Sequence, residues 1–193
     1  MKHVHIENFF STEIHQNLLA FYLTHEKDFP PSLVGDHSLD TQSRLAVSRT
    51  PDKLTQTDEI LKRITERLPS VCDALGIEPF EPTYDLHLPA HLDGGFHKPH
   101  EDKDALGLRQ ISFIYYFHAE PKEFGGGDLL VYAGDSPWFN PDKFSRIPPL
   151  NNSIVFFPSE LFHEVTPIQA IDGDKGFRSA RLSFGGWIAK ESI

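Results

Sequence analysis

The sequence has a single cysteine, Cys72, and a single methionine, the initial residue. One thiol cannot form an internal disulfide, and that scarcity fits a reducing compartment. No apolar run approaches the ~20 residues needed to span a bilayer. The opening, MKHVHIENFF, lacks the apolar stretch and small-residue cleavage site of a secretory signal. The chain is therefore expected to be cytoplasmic, with no membrane partner. Basic residues are also short: 18 Lys and Arg stand against 28 Asp and Glu, a formal charge of -10. A protein that grips a phosphate backbone wants a basic face, so nucleic acid is excluded as an expected partner. There is no internal repeat and no low-complexity tract.

What is present is enough for one domain with a real core: 193 residues, 39% of them hydrophobic, with 16 Phe. The composition divides near residue 80. Residues 1–80 carry helical patterns and read as a supporting segment. Ser11 is placed to cap a helix over Thr12–His25, with Ile14, Leu18, Leu19 and Tyr22 on one face. Leu45 and Val47 suggest one strand. A second helix is expected over Pro51–Leu75, kinked or divided at Pro69 and stopped by Gly76. Residues 81–193 read as the catalytic core. Short strands between Gly, Pro and Asp clusters are expected near Tyr84–His91, Arg109–His118, Gly127–Tyr132, Phe144–Ile147, Ser153–Phe157, Phe162–Ile168 and Arg178–Ile188. That pattern predicts a mainly β, α+β fold: a sandwich or barrel with the N-terminal helices packed on one sheet.

Chemistry concentrates in GGFHKPHEDKD, residues 94–104. Alternation along a strand gives His100 and Asp102 one face and turns Glu101 away. Two ligands do not complete a metal site. His163, in FFPSELFHEV, is the best-placed third. Two imidazoles and one carboxylate on one side of a metal leave the opposite positions open, which suits non-haem Fe(II) in oxygen chemistry; a structural zinc site would be closed by a fourth ligand. His97, across Pro99, is expected on the other face of the strand, with the pocket as its second possible place. The remaining histidines (His3, His5, His15, His25, His37, His87 and His118) show no ligand spacing.

The last strand reads FRSARLSFGGWI, where Arg181 and Ser183 share a face. No acid on that strand can pair with Arg181. Two readings stand: an inward arginine that binds a small-molecule carboxylate bidentately, or a strand-end arginine in a surface ion pair. In the first reading Ser183 adds a hydroxyl and Tyr116, in ISFIYYFH, a phenol. Arg178 is the competing arginine.

These residues resemble the prolyl-hydroxylase-like branch of the 2-oxoglutarate and Fe(II)-dependent oxygenases. The likeness is carried by DLHLPAHLDGGFHKPHED, RQISFIYYFH, FGGGDLLVY, NNSIVFFPSELFHEV and RLSFGGW, in the family's order, and it is greatest to small stand-alone bacterial members. The resemblance implies a double-stranded β-helix, or jelly roll. It implies His100, Asp102 and His163 as iron ligands, and Arg181 with Tyr116 on the far carboxylate of 2-oxoglutarate. Fe(II), 2-oxoglutarate and O2 follow as cofactor and co-substrates, with ascorbate a candidate reductant. His91 stands where many members have tyrosine, which makes it a pocket candidate. Trp187, six residues after Arg181, is expected to pack. The segment IDGDKG lengthens the path from His163 to Arg181 and reads as an expanded loop that keeps Arg181 in register.

The implied activity is hydroxylation of a C–H bond, with release of succinate and CO2, on a prolyl residue or a small amino-acid-like metabolite. The rival is a cupin-like metalloprotein that does not use 2-oxoglutarate, and Arg181 with Tyr116 is the feature that separates the two. The sequence sets neither the acceptor nor the oligomeric state.

Overall fold

A computed structural model describes residues 3–34, 38–52, 54–133, 138 and 140–191. His37 lies outside them. The first strand, β1 (Val4–Glu7), leads to Ser11, whose hydroxyl accepts from the Ile14 amide and starts helix α1 (Thr12–Thr24). The second helix, α2, covers Thr57–Leu75 and begins six residues later than Pro51. Turns closed by Leu54 N–Pro51 O and Thr57 N–Leu54 O bonds occupy the intervening stretch. Pro69 does not divide α2. It lies on the exposed face, where water can solvate the carbonyl its ring leaves unbonded. Gly76, at φ 70°, ends the helix in the left-handed region.

The strand expected around Leu45 and Val47 is two strands. β2 (Arg44–Leu45) and β3 (Val47–Arg49) enter different sheets. The remaining strands are β4 (Pro82–His91), β5 (Phe96–His100), β6 (Arg109–Phe117), β7 (Phe124–Gly126), β8 (Leu129–Tyr132), β9 (Phe144–Ile147), β10 (Ser153–Pro158), β11 (His163–Val165), β12 (Ile168–Ala170) and β13 (Arg181–Lys190). The stretch Phe162–Ile168 splits into β11 and β12 around Pro167, which has no amide to give a ladder.

A six-stranded sheet, β1-β10-β6-β13-β4-β3, faces a five-stranded sheet, β2-β5-β11-β8-β9, and β12-β7 forms a small third sheet. All the pairings are antiparallel, and the order crosses between sequence-distant strands as in a jelly roll. Alternation along the six-stranded sheet sorts its two faces. Ile111, Phe113, Tyr115, Phe117, Leu182 and Phe184 join Ile14, Leu18, Ile60 and Ile64 of the helices in the main core. The other face carries Ser112, Tyr116, Arg181, Ser183, His87 and His91 toward the second sheet, and that is where the site forms.

Candidate metal and co-substrate site

His163 on β11 is the Cα partner of His100 on β5, so the sheet itself sets two imidazoles side by side. Strand β5 ends at His100. Asp102 follows in the loop, tied by its amide to the Ser159 carbonyl at 2.9 Å. One ligand atom from each of His100, Asp102 and His163 lies within 4.8 Å of the others, and among the described residues no other such His, Cys, Asp or Glu group occurs. Both histidines are oriented from behind. Nδ1 of His100 donates to the Lys98 carbonyl at 2.8 Å, and Nδ1 of His163 donates to the Leu161 carbonyl at 2.9 Å. Each Nε2 faces Asp102, at 3.7 Å and 3.3 Å, where a metal would take the place of the proton that His163 shares with that carboxylate. Asp102 accepts from the Ser112 hydroxyl at 2.7 Å, and Ser112 contacts the Ser159 hydroxyl at 3.0 Å. Burial alone would raise the Asp102 carboxyl. The His163 charge and hydrogen bond, then His100 and Ser112, overcome it and hold the carboxyl far below its usual range. Burial and the neighbouring His163 pull His100 down to about 3, so it stands neutral, as a ligand must.

His97 is corrected. It lies on the same side as His100, and the two rings stack with centroids 3.6 Å apart. Against β11, His163 pairs with His100 and Val165 with His97, so three steps on β5 oppose two on β11. That bulge at Lys98–Pro99 breaks the alternation on which the opposite-face expectation rested.

Arg181 is 1% exposed, the largest fully buried side chain among the described residues, and it lines the same cavity as the triad. Its Nε donates to the Gly127 carbonyl at 2.8 Å, and its Nη1 lies 3.5 Å from Nδ1 of His91. Its Nη2 has no partner. Among the described residues no carboxylate makes an ion pair with it. The Tyr116 ring lies 4.8 Å from the guanidinium carbon, and its hydroxyl is also buried without a partner. Burial pushes that phenol up to about 12, so it stays a donor. Two buried donors, one cationic, are left open together, and the missing complement is an anion with oxygen acceptors. Ser183, the Cα partner of Tyr116, lines the cavity with its hydroxyl 3.5 Å from the Pro89 carbonyl. His91 is buried beside Arg181, its Cα partner on the neighbouring strand β4, and burial and the Arg181 charge hold it well below its usual pKa. Arg178 is exposed in the short turn Gly176–Ser179, outside the cavity. The IDGDKG loop leaves Arg181 aligned with His91.

Close approach explains the glycines before β8. Gly126 and Gly127 have φ of 68° and 71°. A Cβ on Gly126 would sit 2.2 Å from the Pro167 carbonyl oxygen, and one on Gly127 would sit 2.8 Å from Cδ of Arg181.

The family model of the 2OG-Fe(II) oxygenase superfamily matches residues 86–189, more than half of the chain. The chain belongs to this superfamily. Its members use Fe(II), 2-oxoglutarate and O2. The donor set fits that iron, and the open Arg181 and Tyr116 fit a carboxylate of that co-substrate. A PKHD-type hydroxylase of Synechocystis sp. is 31% identical over 96% of this oxygenase, which spans 62% of the relative's length. A prolyl hydroxylase from Trichoplax adhaerens, solved with a peptide of a hypoxia-inducible factor, superposes with a TM-score of 0.73 at 17% identity, covering 98% of this chain and 84% of its own. A Pseudomonas putida prolyl-4-hydroxylase gives 0.70 at 19%, covering 99% and 94%. At those identities the likeness establishes the jelly-roll fold.

The sequence reading missed several residues of the site. Ser112 and Ser159 brace Asp102, and Trp187, expected to pack, also lines the cavity mouth between the His87 ring at 4.9 Å and the Arg109 guanidinium at 3.6 Å. Arg44, next to the strand expected around Leu45 and Val47, lines the cavity too.

Proposed function

We propose that this oxygenase is an Fe(II)/2-oxoglutarate-dependent hydroxylase acting on a prolyl residue or a small amino-acid-like metabolite. The observation that carries the reading is Arg181: a fully buried guanidinium with no acidic partner among the described residues, across the cavity from a His-Asp-His group. A cupin-like protein that uses no 2-oxoglutarate has no use for that charge. In this reading His100, Asp102 and His163 would hold the iron, and Arg181 with Tyr116 would fix the far carboxylate of 2-oxoglutarate. Bound together, iron and 2-oxoglutarate supply the oxidising chemistry: O2 is consumed, succinate and CO2 leave, and one oxygen enters a C–H bond of the substrate.

The chain's own residues position and protect. Ser112 and the two backbone carbonyls behind the histidines fix ligand direction. The cavity, walled by His91, Ser183 and the apolar faces of Ile114 and Val165, keeps the oxidant from solvent. No protein acid or base is required, and ascorbate is a candidate reductant. The test is mass spectrometry of succinate formed under 18O2 with Fe(II) and 2-oxoglutarate. One labelled oxygen in succinate is expected. Unlabelled succinate, or none from iron-loaded protein, rejects the reading.

A further inference from the structure

Arg181 is not the only arginine in the cavity. Arg44 sits on the two-residue strand β2, as the Cα partner of His97, with its amide bonded to the Asp40 carbonyl at 3.0 Å. The pairing with β5 brings its side chain to the same cavity as the triad and Arg181. Its Nε is buried without a partner, and its one side-chain hydrogen bond among the described residues is a long one, 3.4 Å from Nη1 to the Leu33 carbonyl. Among the described residues no carboxylate forms an ion pair with it. Asp102 is the acid whose field it feels most, but that carboxylate is engaged by Ser112 and the two histidines.

We propose that Arg44 binds a carboxylate of the substrate, next to the C–H bond that is oxidised. The proposal rests on the Fe(II)/2-oxoglutarate reading. Within that reading the formal charges of the iron, Asp102, the two carboxylates of 2-oxoglutarate and Arg181 cancel. Arg44 then remains as an uncompensated cation that is half-buried, with its unpartnered Nε shielded from water, an arrangement an arriving anion would relieve. One guanidinium calls for one negative charge, and its planar fork matches a carboxylate. A phosphate dianion would leave an excess of negative charge. His87, also in the wall, is pulled by burial down to about 4 and adds no positive charge to offset it. The carboxylate has two possible sources: the acid group of a free amino-acid-like metabolite, or an acidic residue beside the target in a peptide.

The experiment uses anaerobic full-length protein loaded with Fe(II) and 2-oxoglutarate, with binding followed by calorimetry. The probes are L-proline against L-prolinamide, N-acetyl-L-proline against its amide, and the capped dipeptides acetyl-Asp-Pro-amide and acetyl-Asn-Pro-amide. Wild-type protein is expected to bind at least one acid about ten- to a hundred-fold more tightly than its amide counterpart, the effect of one charge-assisted contact. Arg44→Gln is expected to close that gap and Arg44→Lys to restore part of it, both with wild-type circular dichroism. Preference among the first two pairs points to a free metabolite, and preference for the Asp dipeptide points to a peptide. Equal binding of acid and amide in every pair, or binding of no acid, overturns the proposal. The visible Fe(II)–2-oxoglutarate band separates the layers of the argument. If Arg44→Gln abolishes the band, Arg44 serves the co-substrate and the proposal fails alone; if wild-type protein shows no band, the underlying reading fails.

Discussion

Replacing Arg181 with methionine separates a residue kept for a ligand from one kept for the fold. The side chain is 1% exposed and its charge meets no carboxylate among the described residues. Its structural contribution is chiefly the Nε bond to the Gly127 carbonyl. Losing that bond costs ~1–3 kcal/mol. Removing an uncompensated buried charge returns a similar or larger amount, since the effective penalty for such a charge is several kcal/mol. Methionine fills most of the volume of the stem. The ligand-free Arg181→Met protein should therefore melt within a few degrees of wild type, or above it. Binding is a different matter. Leaving the 2-oxoglutarate carboxylate unpaired costs ~3–5 kcal/mol, or about two to four orders of magnitude in Kd. Wild-type protein with metal and 2-oxoglutarate at about 100 times Kd gains ~2.7 kcal/mol, a rise of roughly 5–10 °C at this chain length. The variant should show almost none of that rise. Thermal melts with and without 2-oxoglutarate, in metal-loaded protein, measure both quantities. A variant that unfolds many degrees lower yet keeps its 2-oxoglutarate shift would refute the reasoning and make Arg181 structural.

Other outcomes follow from the same contacts. Tyr116→Phe removes one of two open donors and should weaken 2-oxoglutarate by about three- to tenfold, read by calorimetry, with metal affinity unchanged. Because burial holds the phenol near 12, wild-type 2-oxoglutarate affinity should show no phenol titration between about pH 6 and pH 9. Ser112→Ala strips Asp102 of its hydroxyl donor and should lower metal affinity about 10–100-fold, measured by competition with a chelator. Gly127→Ala forces a Cβ onto Arg181 and a positive φ on alanine, so both stability and 2-oxoglutarate affinity should fall.

Much of the fold was legible because its rules are local. Ser11 and Gly76 bracket the helices in the expected way, and alternation along β13 alone assigns Arg181 and Ser183 to one face. What the sequence concealed depends on pairing between distant segments. β1 has only four residues, and it is a strand because β10 offers it an edge. Leu45 and Val47 belong to different sheets, a switch no periodicity records. His97 faces the cavity because of a bulge that exists only against β11. Arg44 is one charged residue beside Leu45, and its place in the cavity becomes visible only when β2 pairs with β5. Ser112 and Ser159 are ordinary residues whose place behind Asp102 is set by three strands and a loop.

The central claim is that this cavity holds Fe(II) and 2-oxoglutarate together, and one spectrum tests it. Metal-free protein is mixed with Fe(II) in the absence of oxygen, 2-oxoglutarate is added, and the visible absorbance is recorded. A 2-oxo acid chelating Fe(II) through its carboxylate and keto oxygens gives a weak charge-transfer band. The account predicts that band in wild-type protein, and a demand for far more 2-oxoglutarate to reach it in Arg181→Ala. A folded, iron-loaded protein that stays colourless at high 2-oxoglutarate would contradict it and leave the cupin-like reading in its place.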